Sequence, residues 1–291
     1  MTRPDPATRL LRTRLVTLLS ALPSAQAGDV ESVHQARVAS RRLREALPVV
    51  GAAADTAVLG RARRHVRRVT QALGPVREID VALGHLDEYV SRGLAPATAA
   101  AKVGEVLQRE RQARRRAMLA AITPGALQKL SRDLEAMQPA REPGASRPRD
   151  EAARRVQRRA RRLADAIDRA GSLYLPDRLH AVRVAVKKLR YALEIRREIT
   201  RSRASSHIKR LKAMQDALGR MHDLDVLIGW TRQAQALSAE TDRSGARALD
   251  RLVRALEAEC RELHAAYMAD RDGLAALAAT LAAGRRPTAA A

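Results

Sequence analysis

The chain contains one helical pattern twice, and that repetition limits what it can fold into. Val33 to Leu47 reads VHQARVASRRLREAL, and Leu179 to Leu193 reads LHAVRVAVKKLRYAL; His34 and His180 are 146 residues apart (180 − 34) and everything between the ends stays in register. At 100° per residue, His34, Arg37, Arg41 and Arg44 fall within an arc of ~80° on an α-helix, as do His180, Arg183, Lys187 and Arg190. Each helix therefore carries a cationic ridge ~15 Å long. The adjacent arc is apolar or small in both copies: Val33, Ala36, Ser40, Leu43 and Leu47, then Leu179, Val182, Val186, Leu189 and Leu193. Arg42 and Lys188 widen the ridge on the far side of the histidine. Basic residues on one helix face are usually a solvated surface, and a lone helical histidine is usually structural. Two copies in identical register, beside a core stripe, point instead to a surface that faces a polyanion.

A second pair of motifs follows the first. QALGPVREIDV (Gln71 to Val81) matches DALGRMHDLDV (Asp216 to Val226) at an offset of 145 (216 − 71), so one connection differs by a residue. The helix before each motif adds Arg64 and Arg67 in the first half, Lys209 and Lys212 in the second, at matched places. Between these landmarks the chain reads as helices with short breaks. Pro48 to Ala57 is a small-residue connection, Val58 to Leu73 a helix stopped by Gly74-Pro75, and Asp80 the cap of a further helix to Ser91. Gly93 to Pro96 breaks the chain again, and Pro124 opens a helix to Met137. Pro139 to Arg149, PAREPGASRPR, is the clearest linker. The expected organisation is a first helical repeat over 1–138, a linker over 139–149, a second repeat over 150–284 and a tail over 285–291.

These residues carry a resemblance. HQARVASRRLREAL and HAVRVAVKKLRYAL are similar to the signature helix of the CHAD domain, the conserved histidine α-helical domain, and with the second motif the likeness spans roughly Pro6 to Ala283. The resemblance implies an all-α protein that binds inorganic polyphosphate. Combined with the repeat, it implies two helical-bundle repeats related by pseudo-twofold symmetry, with the two ridges lining a basic cleft or pore. The residues expected to line it are His34, Arg37, Arg41, Arg42, Arg44, Arg64, Arg67, His180, Arg183, Lys187, Lys188, Arg190, Lys209 and Lys212. Crowded by cations, the histidines are expected to have lowered pKa values and to act as neutral donors.

Composition narrows the alternatives. A net charge of +23 over 291 residues calls for an anionic partner, because such a field otherwise opposes compaction. With no Phe, one Trp and four Tyr, few rings are available to stack on unpaired bases, so single-stranded nucleic acid is disfavoured. Sequence-nonspecific binding of duplex nucleic acid is the alternative reading, and a scaffold tethered to polyphosphate granules a third. Cys260 is the only cysteine, which excludes an internal disulfide and a cysteine-cluster metal site. There is no Walker-type phosphate loop, HExxH or GxSxG, and Asp80, Asp223 and Asp225 read as capping or neutralising groups. The expectation is a binding protein without catalysis, metal or cofactor. Arg9, Arg12 and Arg14 before the apolar run Leu15 to Leu22 imitate a secretion leader, but the segment reads better as an amphipathic counterpart of Glu151 to Ala170. With no apolar run of ~18 residues, a cytoplasmic protein without a membrane span is expected.

Overall fold

Helix starts are set by short polar side chains standing where orphan amides need acceptors. Asp29 accepts from Ser32 N at 2.7 Å, Asp55 from Ala57 N at 2.6 Å, Thr123 from Ala126 N at 3.3 Å and Asp242 from Gly245 N at 2.8 Å. The computed structural model describes residues 6–137, 148–202, 204–238 and 242–284. These form α1 (Pro6–Ala27), α2 (Val30–Val50), α3 (Thr56–Ser91), α4 (Ala97–Ala121), α5 (Pro124–Glu135), α6 (Pro148–Ala170), α7 (Pro176–Thr200), α8 (Ser205–Ser238) and α9 (Arg243–Ala282), with a 3-10 turn at Gly51–Ala53. The fold is all-α, and there is no strand among the described residues. Residue 138, most of the linker (139–147) and the tail, 285–291, lie outside them.

The two halves use the same order of neighbours. α1 packs on α2 as α6 packs on α7, α2 on α3 as α7 on α8, and α3 on α4 as α8 on α9. α1 thus takes the structural place expected of it, with Leu18, Leu22 and Ala25 fully buried. α4 and α5 together occupy the sequence that α9 spans unbroken, because Pro124 forces a new helix start where the second half has Ala269 (124 + 145).

One expectation fails. Gly74-Pro75 does not stop a helix: α3 runs through it for 36 residues, and α8 runs through Leu218-Gly219 for 34. Asp80 is consequently an interior residue of α3 rather than a cap, and its buried carboxylate accepts from Arg111 Nε of α4 at 2.6 Å. α2 likewise continues through Pro48 to Val50, so the connection is shorter than expected.

Two apolar cores result, and they do not divide at the linker. One gathers α1, α2, the first half of α3, α5 and the ends of α4 and α7, around Leu18, Leu43, Leu47, Val66 and Leu130. The other gathers α6 to α9 and takes in Ile79, Leu86 and Tyr89 of α3 with Val103 and Leu107 of α4. α3, ~54 Å long, passes from one core into the other. An ionic knot fastens the crossing: Arg220 of α8 binds Glu88 of α3, donates to His85 Nδ1 at 2.8 Å and reaches Glu259 of α9 at 2.7 Å, while Tyr89 donates to Glu259 at 2.6 Å.

Candidate anion-binding site

α2 and α7 pack against each other, each with its apolar stripe in a core, and this brings the two ridges into one electrostatic neighbourhood. Arg37 feels Arg41 and Arg183; Arg41 feels Arg183 and Arg44; Lys187 feels Arg41, Arg183, Arg37 and Arg44. All five are half-buried. Arg183 has one carboxylate partner, Asp223, at 3.5 Å. Among the described residues the side chains of Arg37, Arg44 and Lys187 have neither a hydrogen bond nor an ion pair, and Arg41 buries its Nη2 with no acceptor. The Arg41 guanidinium instead lies 5.8 Å from the centroid of the Tyr191 ring. Burial, reinforced by the surrounding arginines, pushes the Lys187 ammonium down to about 6 and Arg37 down to about 10. Cations that outnumber their carboxylates in this way are costly to bury unless an anion completes them.

Gly74, misread as a helix stop, has its explanation here. Arg37 Nη1 lies 2.7 Å from the place a Cβ on Gly74 would occupy, and Arg183 Nε lies 3.8 Å from the corresponding place on Gly219. Only the first of these is a close approach that a side chain would obstruct: Gly74 provides a notch for Arg37, whereas Arg183 passes Gly219 at ordinary contact distance.

The histidines extend the same pattern. His180 and His222 face each other, Nδ1 to Nδ1 at 3.1 Å with ring centroids 4.2 Å apart, so at least one ring is neutral and accepts. Burial is the main cause lowering His34 and His180, with cations second: Arg77 for His34 and Arg183 for His180. The expected direction holds, but desolvation rather than crowding leads it. Burial and Arg183 push His222 down to about 4. Arg77 and His222 were not among the expected site residues, although the second motif puts them at one matched place (77 + 145 = 222).

The remaining expected residues are distributed around this centre. Lys188 and Arg44 share a second basic group with Arg159 and Arg162 of α6, beside the buried Glu45. Glu45 is bound by Arg155 and, at 3.3 Å, by Arg159, tying α6 to α2. Exposed Arg42 and half-buried His34 line a groove of about 710 Å³ with Arg9 and Arg14 of α1. Arg190 turns inward, bound by Glu194 and by Gln215 at 3.0 Å. Arg64, Arg67, Lys209 and Lys212 are exposed on α3 and α8, and none is among the charges that press most on Lys187. Lys212 pairs with Asp216 at 3.0 Å. Arg159, Arg162 and Arg14 were missed because α6 and α1 carry arginines on several faces and only packing shows which face meets the ridges.

Among the described residues no group of three or more His, Cys, Asp or Glu side chains could hold a metal ion, and no helix is long and apolar enough to cross a membrane. Comparison with curated proteins finds no match. Among solved structures, the chain is similar to the CHAD domain from the plant Ricinus communis, at 25% identity and a TM-score of 0.65, over 94% of this chain and 90% of that one. It is also similar in fold to PptA from Streptomyces chartreusis, at 21% identity and a TM-score of 0.69, over 91% of this chain and 97% of that one. The CHAD domain family itself matches residues 9–232, which include both signature helices and both glycine motifs. With that match spanning the histidine ridges of α2 and α7 and the long helices α3 and α8 beside them, the chain belongs to the CHAD domain family.

Proposed function

We propose that this protein binds inorganic polyphosphate non-covalently along the track formed by the α2 and α7 ridges, as a binding module without catalysis. The observation that carries the reading is the meeting of Arg37, Arg41, Arg183 and Lys187, drawn from two halves of the chain, with Asp223 the one carboxylate within ion-pair distance of them among the described residues. Arginine supplies planar, permanently charged donors to phosphate oxygens, and lysine a mobile point charge. Family membership supports phosphate chains as the anion, and such binding would serve to tether the protein to polyphosphate granules. His34, Arg44, His180 and Lys188 would continue the track, with Arg42 at its edge, while Arg64, Arg67, Lys209 and Lys212 would act through the approach field. A thin chain without bases can be surrounded by half-buried donors, whereas a duplex needs an exposed convex face. Long-chain polyphosphate is therefore expected to displace duplex DNA at equal phosphate concentration and physiological salt. Displacement in the other direction would replace this reading by nucleic-acid binding.

Two further results are expected. Gly74→Ala removes a flexible helix-interior residue and adds a methyl where Arg37 now lies. Thermal stability should hold within ~1 kcal/mol while polyphosphate affinity falls several-fold, because the guanidinium has to leave its notch. Loss of stability without loss of affinity would show that the notch serves packing alone. The second concerns protons. The free site holds Lys187 down at about 6, and a bound polyanion returns it toward its ordinary value, so binding near pH 7.5 should take up about one proton. Affinity then rises as pH falls from ~9 and flattens near 6, below which only the histidines add. Calorimetry in buffers of different ionisation enthalpy reads the uptake, which Lys187→Arg should abolish.

A further inference from the structure

The groove of about 710 Å³ between α1 and α2 has a lining that anion binding alone does not account for. Its walls run from Pro6 to Thr17 on α1 and from Glu31 to Arg42 on α2, ~16 Å along each helix. Buried Leu10 and Ala39 and half-buried Val38 supply an apolar surface inside it. Arg9, His34 and Arg42 also line it, and their side chains have no hydrogen bond or ion pair among the described residues. Its two carboxylates are engaged: Glu198 of α7 by Arg14 at 3.0 Å, and Glu31 by the Gln35 amide at 3.2 Å. A concave, partly apolar groove of this size with a few polar groups suits a small organic ligand.

The repeated sequence shows what sets this groove apart. At an offset of 145, buried Leu11, Leu18, Leu22 and Ala25 of α1 fall on buried Val156, Leu163, Ile167 and Ala170 of α6. In that register Arg9 and Arg14 meet Arg154 and Arg159, but Thr13 and Thr17 stand where α6 has Arg158 and Arg162 (13 + 145, 17 + 145). Arg162 adds to the positive field at Lys188, which occupies the place of Arg42 (42 + 146). The first half therefore carries two short hydroxyls where the second has two long cations. A wall that served only to extend a polyanion track would keep the cations.

We propose that the groove between α1 and α2 binds nucleoside phosphates: His34 and Arg42 hold the phosphate where the groove meets the track, Thr13 and Thr17 hydrogen-bond the sugar, and Leu10, Val38 and Ala39 carry the base. The Thr13 hydroxyl makes no hydrogen bond among the described residues, and that of Thr17 donates to Thr13 O at 2.9 Å and keeps its capacity to accept. A single base needs no row of aromatic platforms, and the Arg9 guanidinium offers it one plane. A phosphate on an alkyl chain suits the wall less well, because it would strip water from Thr13, Thr17 and Gln35 without replacing its hydrogen bonds.

The inference goes beyond the polyphosphate reading and does not depend on it. Calorimetric titration of the folded chain with ATP, inorganic triphosphate and dodecyl phosphate, at physiological salt, tests it. ATP should bind ~10-fold tighter than inorganic triphosphate, the return of one or two hydrogen bonds and an apolar contact, although the inorganic ion carries more charge. Thr13→Arg combined with Thr17→Arg installs the α6 pair at two exposed positions. It should remove the ATP advantage despite the added cations, while long-chain polyphosphate binds no more weakly than before. Thr13→Val combined with Thr17→Val keeps shape and charge and should cut the advantage ~3-fold, so the test stands even if the arginine pair disturbs the helix. Equal affinities for ATP and inorganic triphosphate in the unaltered chain, or an ATP advantage that survives these substitutions, overturn the proposal whether or not polyphosphate binds. Tighter binding of dodecyl phosphate than of ATP also overturns it and assigns the groove to lipid phosphates. An ATP advantage in a chain that fails to bind long polyphosphate supports the groove and removes the polyphosphate reading instead.

Discussion

Replacing Arg37 and Arg41 together by alanine should weaken polyphosphate binding ~100-fold, and replacing Arg183 and Lys187 should do nearly the same, although the pairs lie in different halves of the chain. A cation that no longer meets a phosphate no longer releases that phosphate's counter-ion, so the slope of log affinity against log salt should fall by about 1 per residue. Lys187 must gain its proton on binding, so the comparison belongs near pH 6, where its amine is already half-charged in the free protein. At higher pH the α7 pair should cost less than the α2 pair, and that asymmetry should disappear on acidification. Arg109→Ala and Arg254→Ala, at exposed positions of α4 and α9, should leave the slope nearly unchanged. If those controls weakened binding as much as the ridge pairs, affinity would come from the diffuse +23 charge and there would be no site.

Glu45→Ala should have the largest effect on stability, about 3 kcal/mol, because it strands Arg155 in the interior with no other carboxylate partner among the described residues. Thermal unfolding should shift down by roughly 5 °C for a chain of this size. The same bridge sets the acid limit. Burial raises the Glu45 pKa, but Arg155 and Arg159 outweigh it and hold the carboxyl below its ordinary range. Its contribution is therefore present above the unfolded pKa and is lost as pH falls through the folded one. A stability loss under ~1 kcal/mol for Glu45→Ala would mean that water reaches Arg155.

The spacing of His34, Arg37, Arg41 and Arg44 and its repetition were enough to expect helices and ridges, because helical period and charge are local properties of a sequence. Gly74-Pro75 misled for the opposite reason. A Gly-Pro pair is a sound local stop, but α3 is held across it by packing on both sides and by the need to let Arg37 approach. Asp80 was misread along with it, since a cap and an interior ion-pair acceptor look alike until Arg111 is seen beside it. Arg190 keeps the period of the ridge yet turns inward to Glu194, a choice of rotamer that periodicity cannot express. Arg77 and His222 were legible in the 145-residue register but masked by being unlike in type.

The passage of α3 between cores has a consequence for how the gene product can be divided. A fragment ending at Met137 would leave the faces of Ile79, Leu86, Tyr89, Val103 and Leu107 open to water, and a fragment starting at Pro148 would lack those side chains where they complete its core. Neither half covers all of its apolar surface by itself, yet no helix among the described residues crosses 138–147, so the chain can be parted there while every described helix stays whole. Expressed as two separate polypeptides, the halves should remain unstructured alone and become helical only on mixing. The ridges, each contributed by one fragment, would then be assembled by the same event, so that recovery of anion binding reports fragment pairing directly.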